Sequence, residues 1–295
     1  MNKSFPQLKG PLLHNHPLAK HTSWKIGGPA EYFYRPVDTE DLIKLLNAWQ
    51  DEPVTIIGAG TNILIRDQGI KGLVIHLRNS LNKLQALDEN TIHSEAGVNL
   101  TYLVQKCTEL GMIGATFMAG IPGTLGGALK MNAGAYGDAI WHYVKSVETI
   151  NRHGQIKTRA ATEFIASYRQ IEGLAKNEWF ISAELKFNSG EIEKAKQQMQ
   201  TYIQKREKSQ PLNLPSCGSV FRNPDGDYAA RLIEVNGLKG KQIGGAKISE
   251  KHANFIVNCG NAKAADVESL MQEIVATVEK SNGIKLITEV HILGD

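Results

Sequence analysis

Apolar residues recur along this chain with two different periods, and the switches between them mark its elements. After Asp38 and Thr39, either of which can cap a helix, Leu42, Leu45 and Leu46 fall at helical spacing, so a helix is expected through Trp49. VTIIGAG (54–60) then reads as a short buried strand running into a glycine turn, NILIRD stays extended, and GLVIHL (72–77) is a further strand. The helical period returns with Leu100, Leu103, Val104, Cys107 and Leu110, opened by Asn99 or Thr101 and ended by Gly111. VKSVETI (144–150) and WFISAELKF (179–187) are expected strands. A polar helix over 191–209 carries Ile192, Ala195, Met199 and Ile203 on one side, and the two prolines of QPLNLPSCG break it at a domain junction. Beyond it, a helix starting at Asp225 or Asp227 bears Tyr228, Ala229, Leu232 and Ile233 and closes at Gly237. Val267, Leu270, Met271, Ile274 and Val278 line a last helix ending near Gly283. IKLITEVHIL alternates as a strand, with Glu289 on the face of Ile287 and His291.

A chain of 295 residues at roughly 150 per domain suggests two or three domains. A chain of this size buries about 75% of its unfolded surface, so it needs neither disulfides nor a metal to fold. Lys and Arg number 33 against 30 Asp and Glu, a net charge of +3 too small and too evenly spread to imply a nucleic-acid or membrane partner. Cys107, Cys217 and Cys259 stand far apart, with no CxxC, as fits a reducing cytoplasm. His14, His16, His21 and His252 lack metal-ligand spacing, so no metal is expected. The opening MNKSFPQLKG has no apolar stretch of the kind an export signal needs. Residues 111–129 are uncharged, but glycine and Pro122 punctuate them; a buried or ligand-facing loop region is expected there, not a membrane span.

Glycine clusters carry the chemistry. GAGTN (58–62) and GIPGTLGGALKMNAGAYG (120–137) offer exposed backbone N–H groups, Thr61, Thr124 and Asn132, with Lys130 the one charge. Turns that present successive N–H groups make anion-binding nests, which suit a nucleotide or phosphate; a glycine-rich packing corner is the alternative. Strand–glycine–strand order, with the third glycine missing, departs from the strand–GxGxxG–helix fingerprint of a Rossmann dinucleotide site.

IGAGTNIL and GIPGTLGGALKMNAGAYG together resemble the flavin-binding half of the UDP-N-acetylenolpyruvoylglucosamine reductase (MurB) family. HTSWKIGG (21–28), SYR (167–169), PSCGSVFRNP (215–224), KQIGGAKISEKHANFIVN (241–258) and TEV (288–290) extend the resemblance in order over most of the chain. Nothing long is inserted after SYR, as in the family's shorter subclass. The resemblance implies an α+β chain with a vanillyl-alcohol-oxidase-like (PCMH-type) two-part FAD-binding fold and an additional C-terminal α/β substrate domain. The expected boundaries are 1–77 and 78–205 for the two FAD-binding subdomains, 206–282 for the substrate domain, and 283–295 for a strand carrying Glu289.

The function so implied is NADPH-dependent, FAD-mediated reduction of the enolpyruvyl ether of UDP-N-acetylglucosamine to UDP-N-acetylmuramate in the cytoplasm; a monomer is expected because no exposed apolar stripe demands a partner. Arg169 would hold the substrate carboxylate, Ser219 would protonate C2, and Glu289 would donate to the developing charge or orient a water. By the same resemblance FAD would contact Gly58, Ala59, Gly60, Thr61, Asn62, Ile63, Leu64, Gly120, Pro122, Gly123, Thr124, Gly126, Gly127, Asn132, Ala133, Gly134 and Tyr168. Substrate would meet Arg222, Asn223, Lys247 and Asn254. Two departures stand out: Cys217 where the family often has alanine, and Arg222 where lysine is usual. Another flavin oxidoreductase of the same scaffold, or a non-enzymatic nucleotide-binding protein, is the competing reading. An oxidase would need a base and oxygen access, not an acid beside a carbanion.

Overall fold

Asp38 turns the chain into its first helix. Its Oδ1 accepts the N–H of Asp41 at 2.9 Å, taking up a donor that a helix start leaves unpaired, and α1 runs Thr39–Ala48 with Leu42, Leu45 and Leu46 buried. Trp49 is the residue just past its end. The computed structural model describes residues 7–50 and 52–295. The export-signal expectation rests partly on residues 1–6, outside the described residues. The chain divides into two compact units. The first takes residues up to Leu13, Tyr32–Ala59 and Gly72–Gln204; the second takes His14–Glu31, Gly60–Lys71 and Lys205–Asp295.

In the first unit five antiparallel strands form a sheet in the order Ile156–Ala160, Val144–Asn151, Glu178–Lys186, Thr91–Glu95, Leu84–Ala86. The strand Val54–Ile57 pairs in parallel with the chain that ends at His76, Val54 opposite Leu73. Helix α2, Leu100–Glu109, starts where Asn99 Oδ1 accepts the Thr101 N–H at 2.8 Å, and Leu100, Leu103, Val104 and Cys107 enter the core. Gly111, at φ +77°, lets the chain turn away.

Residues 111–129 differ from the expected loop region. They hold a 3₁₀ turn at Ile113–Met118 and most of a short helix, α3, Leu125–Lys130. Phe117, Met118, Leu125, Ala128 and Leu129 are buried together, so an apolar period runs beneath the glycines. Burying each large apolar side chain gives about 1.5–3 kcal/mol, enough to hold such short turns against a core. The polar helix α4 spans Ile192–Ser209 and buries Ala195.

The second unit is built from helices α5, Ala229–Val235, and α6, Ala264–Asn282, with a three-stranded antiparallel sheet of Gln242–Ile243, Ala246–Ile248 and Ile256–Asn258. Helix α5 opens later than Asp225 or Asp227 would set it. Asp227 Oδ1 takes the Tyr228 N–H and the Arg231 guanidinium, while Asn223 Oδ1 accepts the first helical N–H, that of Ala229, at 3.1 Å. At the start of α6 the Asp67 carboxylate accepts N–H groups of Ala264 and Ala265, at 2.9 and 3.2 Å, where the helix dipole favours negative charge. The expected long terminal strand shrinks to His291–Leu293, paired in parallel with Ile63–Ile65. Residues 287–289 instead bond to the 220–222 segment, Glu289 N–H to Val220 O at 2.8 Å and Arg222 N–H to Ile287 O at 2.9 Å. No helix among the described residues is long and apolar enough to cross a membrane.

Candidate active site

Within the first unit the two glycine-rich segments meet because side chains are missing. A Cβ on Gly58 would stand 2.3 Å from Thr124 Oγ1, and one on Gly126 would stand 2.9 Å from Ala96 Cβ. The Leu125 and Gly126 N–H groups donate to Val98 and Ala96 carbonyls at 2.9 and 2.8 Å, which fixes this corner. Gly123 and Thr124 are buried there, Gly120 and Gly126 half-buried, Pro122 and Gly127 exposed. The N–H groups of Ala59, and of Gly60 just after it, meet no backbone carbonyl among the described residues. Unclaimed N–H donors on a close-packed glycine turn are what a cofactor diphosphate needs, so the residues fit FAD.

Asn132, also expected at the cofactor, is buried with its carboxamide engaged in the protein. Its Nδ2 donates to Ser167 O at 2.9 Å, and its Oδ1 accepts the Trp141 N–H at 3.3 Å. Ala133 and Gly134 beside it are half-buried. Ser167 closes the hairpin Ile165–Ser167/Gln170–Glu172, whose two-residue turn is Tyr168–Arg169. Tyr168 is exposed, and the Arg169 guanidinium carbon lies 5.3 Å from the centre of its ring. Arg169 has φ +58°, a left-handed conformation that costs a side-chain-bearing residue roughly 1–2 kcal/mol. A turn free of other demands would put glycine or asparagine there.

Ser219 and Glu289 belong to the second unit, and Arg169 to the first. Glu289 is half-buried and held at both ends of its backbone: its N–H is on Val220, next to Ser219, and its carbonyl accepts from Asn62 Nδ2 at 2.9 Å. The glycine-rich turn thus reaches the terminal segment through Asn62. Thr61 is half-buried on the same turn; Ile63 pairs with His291, and Leu64 lies in the core. The HTSW segment backs this turn. Ser23 N–H donates to Gly60 O at 3.0 Å, and Trp24 Nε1 donates to Ile256 O at 2.7 Å. Cys217, also buried, lies with its Sγ 3.3 Å from Ile63 O and 3.7 Å from Gly60 O. Burial pushes its thiol up to about 12, so at ordinary pH it is a neutral S–H donor.

The expected substrate residues divide by their partners. Arg222 is half-buried, its Nε without a partner among the described residues. Asn223 spends its oxygen on α5, and Lys247 lies 3.1 Å from Glu250. Asn254 is buried and has both ends of its carboxamide on the Phe221 backbone, a role that sequence reading missed. Among the described residues no group of three or more His, Cys, Asp or Glu is placed to hold a metal ion.

A family profile described as the C-terminal domain of UDP-N-acetylenolpyruvoylglucosamine reductase matches residues 210–293, and one described as an FAD binding domain matches residues 30–159. The chain is similar to a UDP-N-acetylenolpyruvoylglucosamine reductase of Coxiella burnetii (strain Dugway 5J108-111), 48% identical over 312 residues covering 99% of this chain and 98% of that one. A protein of the same description from Methylococcus capsulatus is 47% identical over 288 residues, covering 97% and 94%. The crystal structure of UDP-N-acetylenolpyruvylglucosamine reductase (MurB) from Thermus caldophilus matches with a TM-score of 0.82 at 30% identity, covering 96% of this chain and 99% of that chain.

Proposed function

Because this chain belongs to the UDP-N-acetylenolpyruvoylglucosamine reductase family and has its PCMH-type FAD-binding fold, we propose that it reduces the enolpyruvyl ether of UDP-N-acetylglucosamine to UDP-N-acetylmuramate, a step of peptidoglycan precursor synthesis. FAD, when bound, supplies two electrons as a hydride to C3 of the enolpyruvyl group. The observation that carries the reading is the double hold on Glu289, its N–H on Val220 beside Ser219 and its carbonyl on Asn62 of the glycine turn. It ties the two groups suited to charge and proton handling to the segment suited to the cofactor.

Hydride arriving beta to a carboxylate leaves negative charge on C2 and on the carboxylate oxygens. The planar Arg169 fork can donate to both oxygens at once, and the strain it bears at φ +58° supports a role beyond turn formation. Ser219 gives its hydroxyl proton to C2, closing the reaction as one hydride plus one proton across the double bond. Glu289 stabilises the charge at C2 as a protonated donor or orients the hydrogen bonds around it. Arg222, Asn223 and Lys247 serve the UDP diphosphate; Asn223, with its oxygen engaged by Ala229, has its N–H₂ to offer. FAD is held by the turn 58–62 and by 120–134, with Ala59 and Gly60 N–H groups toward phosphate. NADPH is the electron donor, and the enzyme acts as a cytoplasmic monomer, where reduced nicotinamide and the nucleotide sugar occur together.

Anaerobic absorbance tests the reading. NADPH bleaches the flavin band, the enolpyruvyl UDP sugar restores it, and UDP-N-acetylglucosamine does not. A protein without acid-releasable FAD, or a reduced flavin that the enolpyruvyl sugar leaves reduced, overturns it.

A further inference from the structure

The segment 219–222 is gripped within the second unit from two directions. On one side stand residues 287–289, with Glu289 N–H on Val220 O, Arg222 N–H on Ile287 O, and a bridge between Phe221 and Thr288. On the other side the partner of Phe221 is a side chain. Phe221 N–H donates to Asn254 Oδ1 at 2.9 Å, and Asn254 Nδ2 donates to Phe221 O at 2.8 Å. The Asn254 backbone carbonyl also accepts the Val220 N–H at 2.9 Å. One residue thus supplies the row of acceptors and donors that the edge of a strand would supply. Asn254 is only 3% exposed, so water cannot replace these bonds.

The turn that presents Asn254 is itself fixed. Ser249 Oγ accepts the N–H groups of Lys251 and His252 at 3.1 and 3.3 Å. Phe255 N–H donates to His252 O at 3.0 Å, and Ser249 N–H donates to Phe255 O at 2.8 Å. A rigid loop therefore delivers a carboxamide to the residues that follow Ser219.

We propose that Asn254 is a positioning residue for proton delivery: its paired bonds to the Phe221 backbone set where Ser219 holds its hydroxyl, with no contact of its own to substrate. The inference rests on the reading of Ser219 as the proton donor. Loss of the pair leaves a buried N–H and carbonyl unmet, and the segment must shift to meet them. Misplacing a reacting group by an ångström slows its step on the order of 10²-fold.

Asn254→Asp tests this with almost no change of shape. As a carboxylate it accepts the Phe221 N–H but opposes the Phe221 carbonyl; once protonated it restores a donor and an acceptor. Burial raises a carboxyl pKa, which brings that switch into the working range. Lys251 and His252 on the same turn, Arg222 on the gripped segment and Glu289 across it are charged or titratable groups common to both proteins. Each rate is therefore read as a ratio to wild type at the same pH. The FAD-loaded protein is reduced with dithionite and mixed with the enolpyruvyl UDP sugar, and amide hydrogen exchange over 219–222 is measured in parallel. At about pH 8 the variant is expected to exchange faster there and to reoxidise on the order of 10²-fold slower than wild type, both deficits shrinking toward about pH 5.5. Asn254→Leu stays slow and poorly protected at both; if it does not fold, the pH response of Asn254→Asp decides alone. A wild-type rate and wild-type protection at the higher pH, or a deficit indifferent to pH, overturns the proposal. Ser219→Ala run alongside separates the two layers. A slow Ser219→Ala with a normal Asn254→Asp removes the positioning role alone, and a wild-type Ser219→Ala removes the proton-donor reading and this inference with it.

Discussion

Gly60→Ala puts a single methyl group against a wall of backbone. Gly60 has φ +65°, and its Cβ would stand 2.0 Å from the His21 carbonyl oxygen and 2.9 Å from Thr22 Cα. Cβ contacts below 3.0 Å are essentially never tolerated, so the His21 carbonyl must retreat by about 1 Å. It is not free to do so. His21 N–H donates to Leu18 O at 2.8 Å, Thr22 Oγ1 to Ile26 O at 2.8 Å, and Ser23 N–H to Gly60 O itself at 3.0 Å. Straining one or two such bonds costs about 0.5–1.5 kcal/mol each. The left-handed conformation adds roughly 1–2 kcal/mol, for a total of about 1.5–5 kcal/mol. Gly226→Ala isolates the conformational part: it has φ +74° in the same unit, but nothing lies within 4 Å of its Cβ position. That variant is expected to lose only about 1–2 kcal/mol and to keep FAD. Urea unfolding of both beside wild type, with FAD content after gel filtration, measures the difference. Equal stability losses for the two variants would refute the argument that backbone contact, not glycine's freedom alone, shapes this turn.

The functional groups and the buried thiols set further outcomes. Ser219→Ala should slow flavin reoxidation by substrate roughly 10²–10⁴-fold while NADPH reduces the flavin at close to the normal rate; equal loss in both half-reactions would make the serine a support of the flavin site. Arg169→Lys should weaken substrate binding as well as hydride delivery, whereas Glu289→Gln should slow reoxidation with the substrate-induced change in the oxidised flavin spectrum retained; a wild-type reoxidation rate for Glu289→Gln would end its catalytic role. A thiol reagent applied at about pH 8 should modify one cysteine of the native protein, exposed Cys259, and three once it is unfolded, because Cys107 and Cys217 are buried with thiols pushed up to about 12. Burial favours their neutral form, so the stability they contribute is intact below the ordinary thiol range and declines as pH rises from about 9 toward 12, which alkaline unfolding of Cys217→Ala against wild type would register.

Helices α1 and α2 were legible because their information is local: a capping carboxylate or carboxamide, three or four leucine-class residues at helical spacing, and a stop. Residues 111–129 were not, since glycine interrupts the apolar period that Phe117, Leu125 and Leu129 still keep. At the C-terminus, alternation describes which side chains can face a core but not how many neighbours the backbone will find; only His291–Leu293 meets a strand. Arg169 could be singled out by resemblance, yet its left-handed backbone is invisible in the sequence, because arginine does not announce a positive φ as glycine does. The three asparagines show the same limit. Asn62, Asn132 and Asn254 each carry a carboxamide suited to a ligand, and each bonds a backbone distant in sequence. Residue type indicated a polar, positioned group; only the fold shows what it positions.

This chain moves two electrons onto an enolpyruvyl ether through bound FAD, and single-turnover product analysis tests that transfer. Enzyme carrying FAD is reduced anaerobically with one equivalent of NADPH, mixed with limiting enolpyruvyl UDP sugar, and the nucleotide sugar is identified by mass while the flavin band is followed. Each molecule of substrate consumed should appear as UDP-N-acetylmuramate, heavier by two hydrogens, with one flavin returned to the oxidised state. Reoxidation without that product, or unchanged substrate beside a flavin that stays reduced, would rule this reaction out.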